Sequence, residues 1–264
     1  MIEVRKACQT FNKNTPYYLE LFNNLSLTIN DGDFISLIGS NGAGKSTLLN
    51  MLAGSFMPDS GEIFFDEKNV TRQKEYVRAK YIGRVFQDPK MGNCPDMSIR
   101  ENLSIAYNKM KSFNLTRGVE RKNEPFFMEQ LETFKMGLEG FLSVRAGSLS
   151  GGQRQALSLL MATITEPKLL LLDEHTAALD PVTSKTVMEK TKEIVETKKI
   201  TTFMVTHNLN YAIEYGNRLI LLHKGEIIFD VCGEEKKELT KRKLLDIFTS
   251  SVPDDALSDI MAFG

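Results

Sequence analysis

One stretch limits what this chain can fold into more than any other: Gly39-Ser40-Asn41-Gly42-Ala43-Gly44-Lys45-Ser46-Thr47. It follows an apolar run from Phe34 to Ile38 and precedes a helical pattern of Leu48, Leu49, Met51 and Leu52. The order is therefore strand, glycine loop, helix. In that setting the spacing Gly-x-x-x-x-Gly-Lys-Ser builds a phosphate cradle. Gly42 and Gly44 offer no side chain to block close approach or positive φ. Backbone N–H groups can then turn onto phosphate oxygens, aided by the positive end of the following helix. The spacing predicts that Lys45 reaches the β- and γ-phosphates of a nucleoside triphosphate and that the Ser46 hydroxyl takes a place on Mg²⁺. The motif leaves the reaction open.

The chain has 264 residues, a formal net charge of −1 and 42% hydrophobic residues. That suits one large α/β domain with a lobe, or two small domains. The near-neutral balance argues against bulk binding of nucleic acid, which needs a basic face. No apolar stretch approaches the roughly 18 residues that cross a bilayer. The start, Met1 to Lys6, lacks the apolar core of a secretion signal, so a cytoplasmic location is expected. Cys8, Cys94 and Cys232 are far apart and form no Cys-x-x-Cys pair, so three free thiols are expected.

Ile2 to Phe11 mixes apolar and polar residues as an edge-like strand does. Leu25, Leu27 and Ile29 alternate with polar neighbours, a period-two strand with one buried face. Phe34 to Ile38 reads as a central strand covered on both faces. After the glycine loop a helix runs to about Gly54, a C-terminal stop. Strands are expected at Glu62 to Phe65 and Tyr81 to Phe86, with a short helix at Glu75 to Ala79. From Asp88 to about Ala146 the strand pattern vanishes. Ser98 and Glu101 form a capping-box pattern, a second helix covers Phe126 to Met136, and a polar, basic connector runs from Lys109 to Asn123. Alternation then resumes: a helix after Ser150, a buried strand at Leu169 to Leu172 and a long helix from Pro181 to about Lys198. A strand at Thr202 to Val205 and a helix at Leu209 to Tyr215 follow, then a hairpin of Leu219 to Leu222 and Glu226 to Phe229. The charged tail carries helical patterns at Leu239–Phe248 and Ala256–Met261.

Two further elements carry chemistry. The apolar strand Leu169 to Leu172 delivers Asp173 and Glu174 at its end, where ligands sit on parallel sheets. Side chains alternate along a strand, so the two carboxylates need not share a job. Asp173 suits Mg²⁺, through water. Glu174 suits orientation or deprotonation of an attacking water. The second element is Leu149-Ser150-Gly151-Gly152-Gln153, a glycine-rich helix start and so a second place for an anion.

Leu-Ser-Gly-Gly-Gln resembles the signature of the ATP-binding-cassette (ABC) ATPases. The family's other elements occur in the family's order: Gln87 after a strand, Asp173-Glu174, Ala178-Leu179-Asp180, and His207 after Phe203-Met204-Val205. The resemblance covers roughly residues 1 to 235. It implies an α/β P-loop NTPase fold with a mostly parallel core sheet, an N-terminal antiparallel β subdomain and a helical subdomain inserted at about 88–150. Residues 236–264 are expected to form a C-terminal helical tail. It implies ATP and Mg²⁺ as cofactors and a homodimer, or paired cassettes, with composite sites. Ser150 and Gly152 of one copy then touch the γ-phosphate held by Lys45 of the other, with Gly151 and Gln153 in the same helix start. Gln87 senses Mg²⁺ and water, Asp180 lines the dimer seam, and His207 contacts the γ-phosphate. His175 departs from the family's usual proline and reads as a tolerated loop residue without a chemical role. His223 reads as an exposed turn residue. For adenine stacking Phe11 fits by position, with Tyr17 and Tyr18 as rivals.

The resemblance further implies a subunit peripheral to the cytoplasmic face of the membrane. It would drive separate permease subunits and, through them, work with an extracytoplasmic substrate-binding protein. Asp88 to Arg100, with Met91 and Met97, is the candidate docking surface. The runs Gly83 to Pro89 and Leu171 to Asp180 are similar to cassettes of amino-acid-type importers with tryptophan- or tyrosine-type binding proteins. The alternative is a soluble ABC ATPase acting on ribosomes or DNA. Such forms carry two cassettes in one chain or a long coiled coil, and neither is present here.

Overall fold

The structure, a computed structural model, describes residues 1–111 and 118–251. The pattern at Ala256–Met261 and part of the connector after Lys109 lie outside the described residues. The elements in chain order are β1 (Ile2–Phe11), β2 (Leu19–Ile29), β3 (Phe34–Gly39), α1 (Lys45–Ala53), β4 (Ser60–Phe65), β5 (Lys68–Asn69), α2 (Glu75–Arg78) and β6 (Ile82–Val85). Then come α3 (Ile99–Asn108), α4 (Glu124–Glu132), α5 (Gly151–Thr163), β7 (Leu169–Asp173), α6 (Pro181–Lys198) and β8 (Thr201–Val205). The last are α7 (Leu209–Glu214), β9 (Arg218–His223), β10 (Glu226–Cys232), α8 (Gly233–Lys237) and α9 (Lys241–Ser251). The chain divides into two compact units: Met1–Arg78 with the described residues from Thr201 on, and Ala79–Ile200.

The first unit holds an antiparallel sheet, β2-β1-β4-β5. β1 pairs on both sides, so it is not the edge its mixed sequence suggests. Its alternation reports one face turned to water, which an internal strand of an antiparallel sheet also has. The same unit holds β3 between β8 and β9, both parallel to it, with β10 antiparallel to β9. Every residue of β3 is buried, which explains its uninterrupted apolar run. The tail adds to this core: Leu239, Leu244 and Phe248 pack with Ile38, Leu209, Ala212, Leu219, Leu221 and Val231.

Helix α1 ends as its sequence indicates. Gly54 takes φ 82° and returns its N–H to the carbonyls of Asn50 and Met51. Arg78 is fully buried and donates to the carbonyls of Met51 (2.8 Å), Leu52 (2.9 Å), Val70 (2.6 Å) and Thr71 (3.1 Å). A cation therefore sits at the negative end of the helix that follows the glycine loop.

In the second unit β6 runs parallel to β7. The stretch after Asp88 is helical, and the capping box of Ser98 and Glu101 is formed in both directions. Helix α4 starts two residues before the expected Phe126 and stops four before Met136. Pro125 suits the first turn, and Lys135 (φ 53°) and Gly137 (φ 70°) reverse the chain. Met91 and Met97 are 67% and 37% exposed, so they do not fill a core. The three cysteines are free.

Candidate nucleotide site

The phosphate loop lies in the first unit, between β3 and α1. Gly44 takes φ 103°, and a Cβ there would meet the Phe22 ring at 2.7 Å. No other residue fits. Gly42, at φ 75°, has open space around it and needs glycine for its backbone alone. Gly44 is the N-cap of α1 and supplies no side-chain cap. Helices α3, α5, α6 and α7 are each capped, by Ser98, Ser150, Asp180 and Asn208. An uncapped helix start keeps its donors for an anion. Lys45 is buried and donates through Nζ to the carbonyls of Gly39 (2.7 Å) and Ser40 (3.0 Å). Asn41, Gly42 and Ser46 are exposed, Ala43 is buried and Thr47 half-buried. The glycine backbone and the lysine cation are thus assembled side by side, with Ser46 exposed in the first turn of α1.

The β9–β10 hairpin braces this loop. A Cβ on Gly39 would strike the Leu222 carbonyl oxygen at 2.1 Å. Gly225 donates its N–H to the Ala43 carbonyl at 3.0 Å. His223 places Nδ1 3.3 Å from the Ser40 hydroxyl, with both residues buried. His223 is therefore not the exposed turn residue its sequence position suggests. Strand pairing carries it beside the loop, which local sequence does not encode.

His207 follows β8 and is half-buried. The preceding Thr206 donates its N–H to the Leu37 carbonyl at 3.2 Å, tying the His207 loop to the strand that feeds the phosphate loop. Phe11, at the end of β1, is half-buried and meets Phe56 edge-on at 6.3 Å between centroids. Tyr17 and Tyr18 are exposed.

The remaining residues singled out from the sequence lie in the second unit. Asp173 ends β7 and Glu174 follows it, both half-buried. Glu174 takes φ 45°, the left-handed region that side chains with a Cβ seldom occupy. Such strain concentrates at functional positions. Arg84 on β6 lies 3.7 Å from the Asp173 carboxylate and covers the Phe86 ring at 4.5 Å. The Phe86 carbonyl in turn accepts from Gln155 of α5 at 3.3 Å, next to the exposed Gln87.

His175 is buried and its Nε2 lies 3.2 Å from Thr191 Oγ1. That hydroxyl donates its one proton to the Val187 carbonyl at 2.8 Å. His175 therefore donates from Nε2, which fixes the neutral tautomer. Burial pushes its pKa from 6.5 down to about 4. Its role as an anchor of the segment after Glu174 was not legible from sequence.

Ser150 caps α5. Its hydroxyl accepts from the Gln153 N–H (3.3 Å) while its own N–H donates to the Gln153 side chain (3.2 Å). Both Ser150 and Gly151 are exposed. A Cβ on Gly152 would meet Thr183 at 2.3 Å. Asp180 caps α6 by accepting from Val182 and Thr183. Hydrogen bonds from Thr183 hold its carboxyl below the usual range.

A strand-fed glycine loop holding a buried lysine, in a chain that also carries a strand-end Asp-Glu pair, has the parts of a P-loop NTPase. A family model described as ABC transporter matches residues 22–177, and the chain belongs to that family. It is 48% identical over 252 residues, 96% of this chain and all of the relative, to a tyrosine transport ATP-binding protein of Clostridioides difficile (strain R20291). It is 35% identical over 206 residues to a glycine betaine/carnitine/choline transport ATP-binding protein of Bacillus subtilis (strain 168), across 78% of this chain and 52% of that relative. Among solved structures, a dimeric post-hydrolysis form of the ATP-binding cassette MJ0796 bound to ADP and Pi superposes with a TM-score of 0.74 at 28% identity. The match covers 88% of this chain and 98% of that one. The chain is thus an ATPase subunit that energises a transporter, with an antiparallel N-terminal sheet, a mostly parallel core sheet and an inserted helical subdomain. No helix among the described residues is long and apolar enough to cross a membrane.

Proposed function

We propose that this subunit drives uptake of an amino acid of the tyrosine class through separate permease subunits, as a homodimer at the cytoplasmic face of the membrane. One observation carries the substrate class: the 48% identity to a tyrosine transport ATP-binding protein extends over that relative's whole length. An extracytoplasmic binding protein delivers the solute to the permease. The exposed Met91 and Met97 belong to the permease-docking surface, because polarizable, adaptable side chains suit a surface that repacks.

The reaction divides among named residues. The loop Gly39 to Thr47 holds the phosphates by its backbone, and Lys45 neutralises charge between the β- and γ-groups. Phe11 offers a ring face to adenine. Ser46 hydroxyl, Asp173 carboxylate and Gln87 amide are hard oxygen donors, the set that suits Mg²⁺. When bound, the ion neutralises charge on the phosphates. Glu174 takes a proton from the attacking water, and His207 holds the γ-phosphate. The partner copy's signature, from Ser150 to Gln153, completes the charge stabilisation, with Asp180 at the seam.

Uptake of labelled tyrosine by cells with and without the gene tests the transport reading. Loss of uptake, restored by the wild-type gene and not by E174Q, is expected. Unchanged tyrosine uptake in the deletion would overturn the substrate class.

A further inference from the structure

Local sequence gives His223 no role, yet the fold brings it to the phosphate loop. The cause is strand register. β9 runs parallel to β3 with Gly39 opposite Leu222. The next residues are then Ser40, just past the end of β3, and His223, the last of β9. The β9–β10 turn is two residues long, with Lys224 at φ 43° and Gly225 at φ 81°. Two successive positive φ values make the tight turn that matches strand twist. A wider turn would carry Gly225 away from Ala43.

Ser40 is the node of the arrangement. Its side chain meets His223 at 3.3 Å. Its carbonyl accepts from Lys45 Nζ at 3.0 Å and from the Ala43 N–H at 3.2 Å. The residue that holds the phosphate-binding lysine is itself held by a histidine 183 positions away in sequence.

We propose that His223 is a positioning residue of the nucleotide site: through Ser40 it fixes the path of the phosphate loop and so sets affinity for the nucleotide's phosphates. His223 touches no reacting atom in this account. Its action runs through Ser40 to the loop backbone and Lys45. The idea rests on Gly39 to Thr47 being the nucleotide site.

The test is calorimetric titration of the full-length protein with ADP, alongside steady-state ATPase assays. H223A is expected to weaken ADP binding by about five- to tenfold, within the range of side-chain coupling through one hydrogen bond. KM for ATP should rise by a similar factor, with kcat changed less than twofold. S40A should weaken binding comparably. The double variant should bind no worse than either single one, because both remove one link. H223N, whose amide can meet the Ser40 hydroxyl, should recover most of the loss. Should H223A fail to fold, S40A and H223N still decide the matter. Wild-type affinity in H223A and S40A, multiplying losses in the double variant, or no recovery in H223N would overturn the proposal. Failure of the wild-type protein to bind ADP would instead overturn the site on which it rests.

Discussion

His175 should make stability depend on pH in a way that can be isolated. The imidazole is buried, donates from Nε2 to Thr191, and has its pKa pushed from 6.5 to about 4 by burial. In the unfolded chain it titrates normally, near 6.5. Between those values the unfolded state binds a proton that the folded state refuses, so stability rises with pH. The contribution is complete above pH 6.5 and is lost as pH falls toward 4. The full interval is worth about 3 kcal/mol, at about 1.4 kcal/mol per pH unit. By pH 5 the loss should reach about 2 kcal/mol. Urea unfolding of wild type and H175N from pH 7.5 to 5.0 measures it, because the difference between the curves cancels all other titrating groups. At pH 7.5 H175N should be less stable, having lost buried packing and the bond to Thr191. The gap should narrow by about 2 kcal/mol at pH 5. Parallel curves would refute the reasoning and place His175 in contact with water.

Other outcomes follow from the same geometry. E174Q should bind ATP normally, lose turnover by at least roughly a hundredfold and accumulate as a dimer on size-exclusion chromatography. G44A forces a Cβ to within 2.7 Å of the Phe22 ring at φ 103°. It should cost about 1–3 kcal/mol in thermal unfolding and abolish ADP binding in the titration above. R84Q removes a guanidinium 3.7 Å from Asp173. The Mg²⁺ concentration for half-maximal ATPase should fall by roughly threefold or more, as a competing cation is gone. S150R should block hydrolysis while leaving ADP affinity in dilute protein unchanged.

Much of this was legible in the sequence because it is local. The phosphate loop needs a strand, two glycines and a helix in succession, and the structure has β3, Gly42, Gly44 and α1 in that order. The capping box at Ser98 is likewise written in four residues, and the structure adds one at Ser150, where the sequence indicated only a helix start. What sequence hid is long-range. β1 reads as an edge strand because alternation reports solvent on one face and says nothing of neighbours. β5 is two residues long and leaves no period to detect. His223 and His175 are buried by partners 183 and 16 positions away. Burial of a histidine depends on packing, and no periodicity signals it. α8 is short and charged, yet Lys236 is buried and donates to the carbonyls of Tyr215 and Gly216 that follow α7.

ATPase rate against protein concentration addresses the central claim most directly, namely that a second copy's signature completes each site. Rate per molecule should rise with concentration and saturate, and it should fall toward zero at dilutions where light scattering detects monomer. A constant rate per molecule across that range would contradict the account.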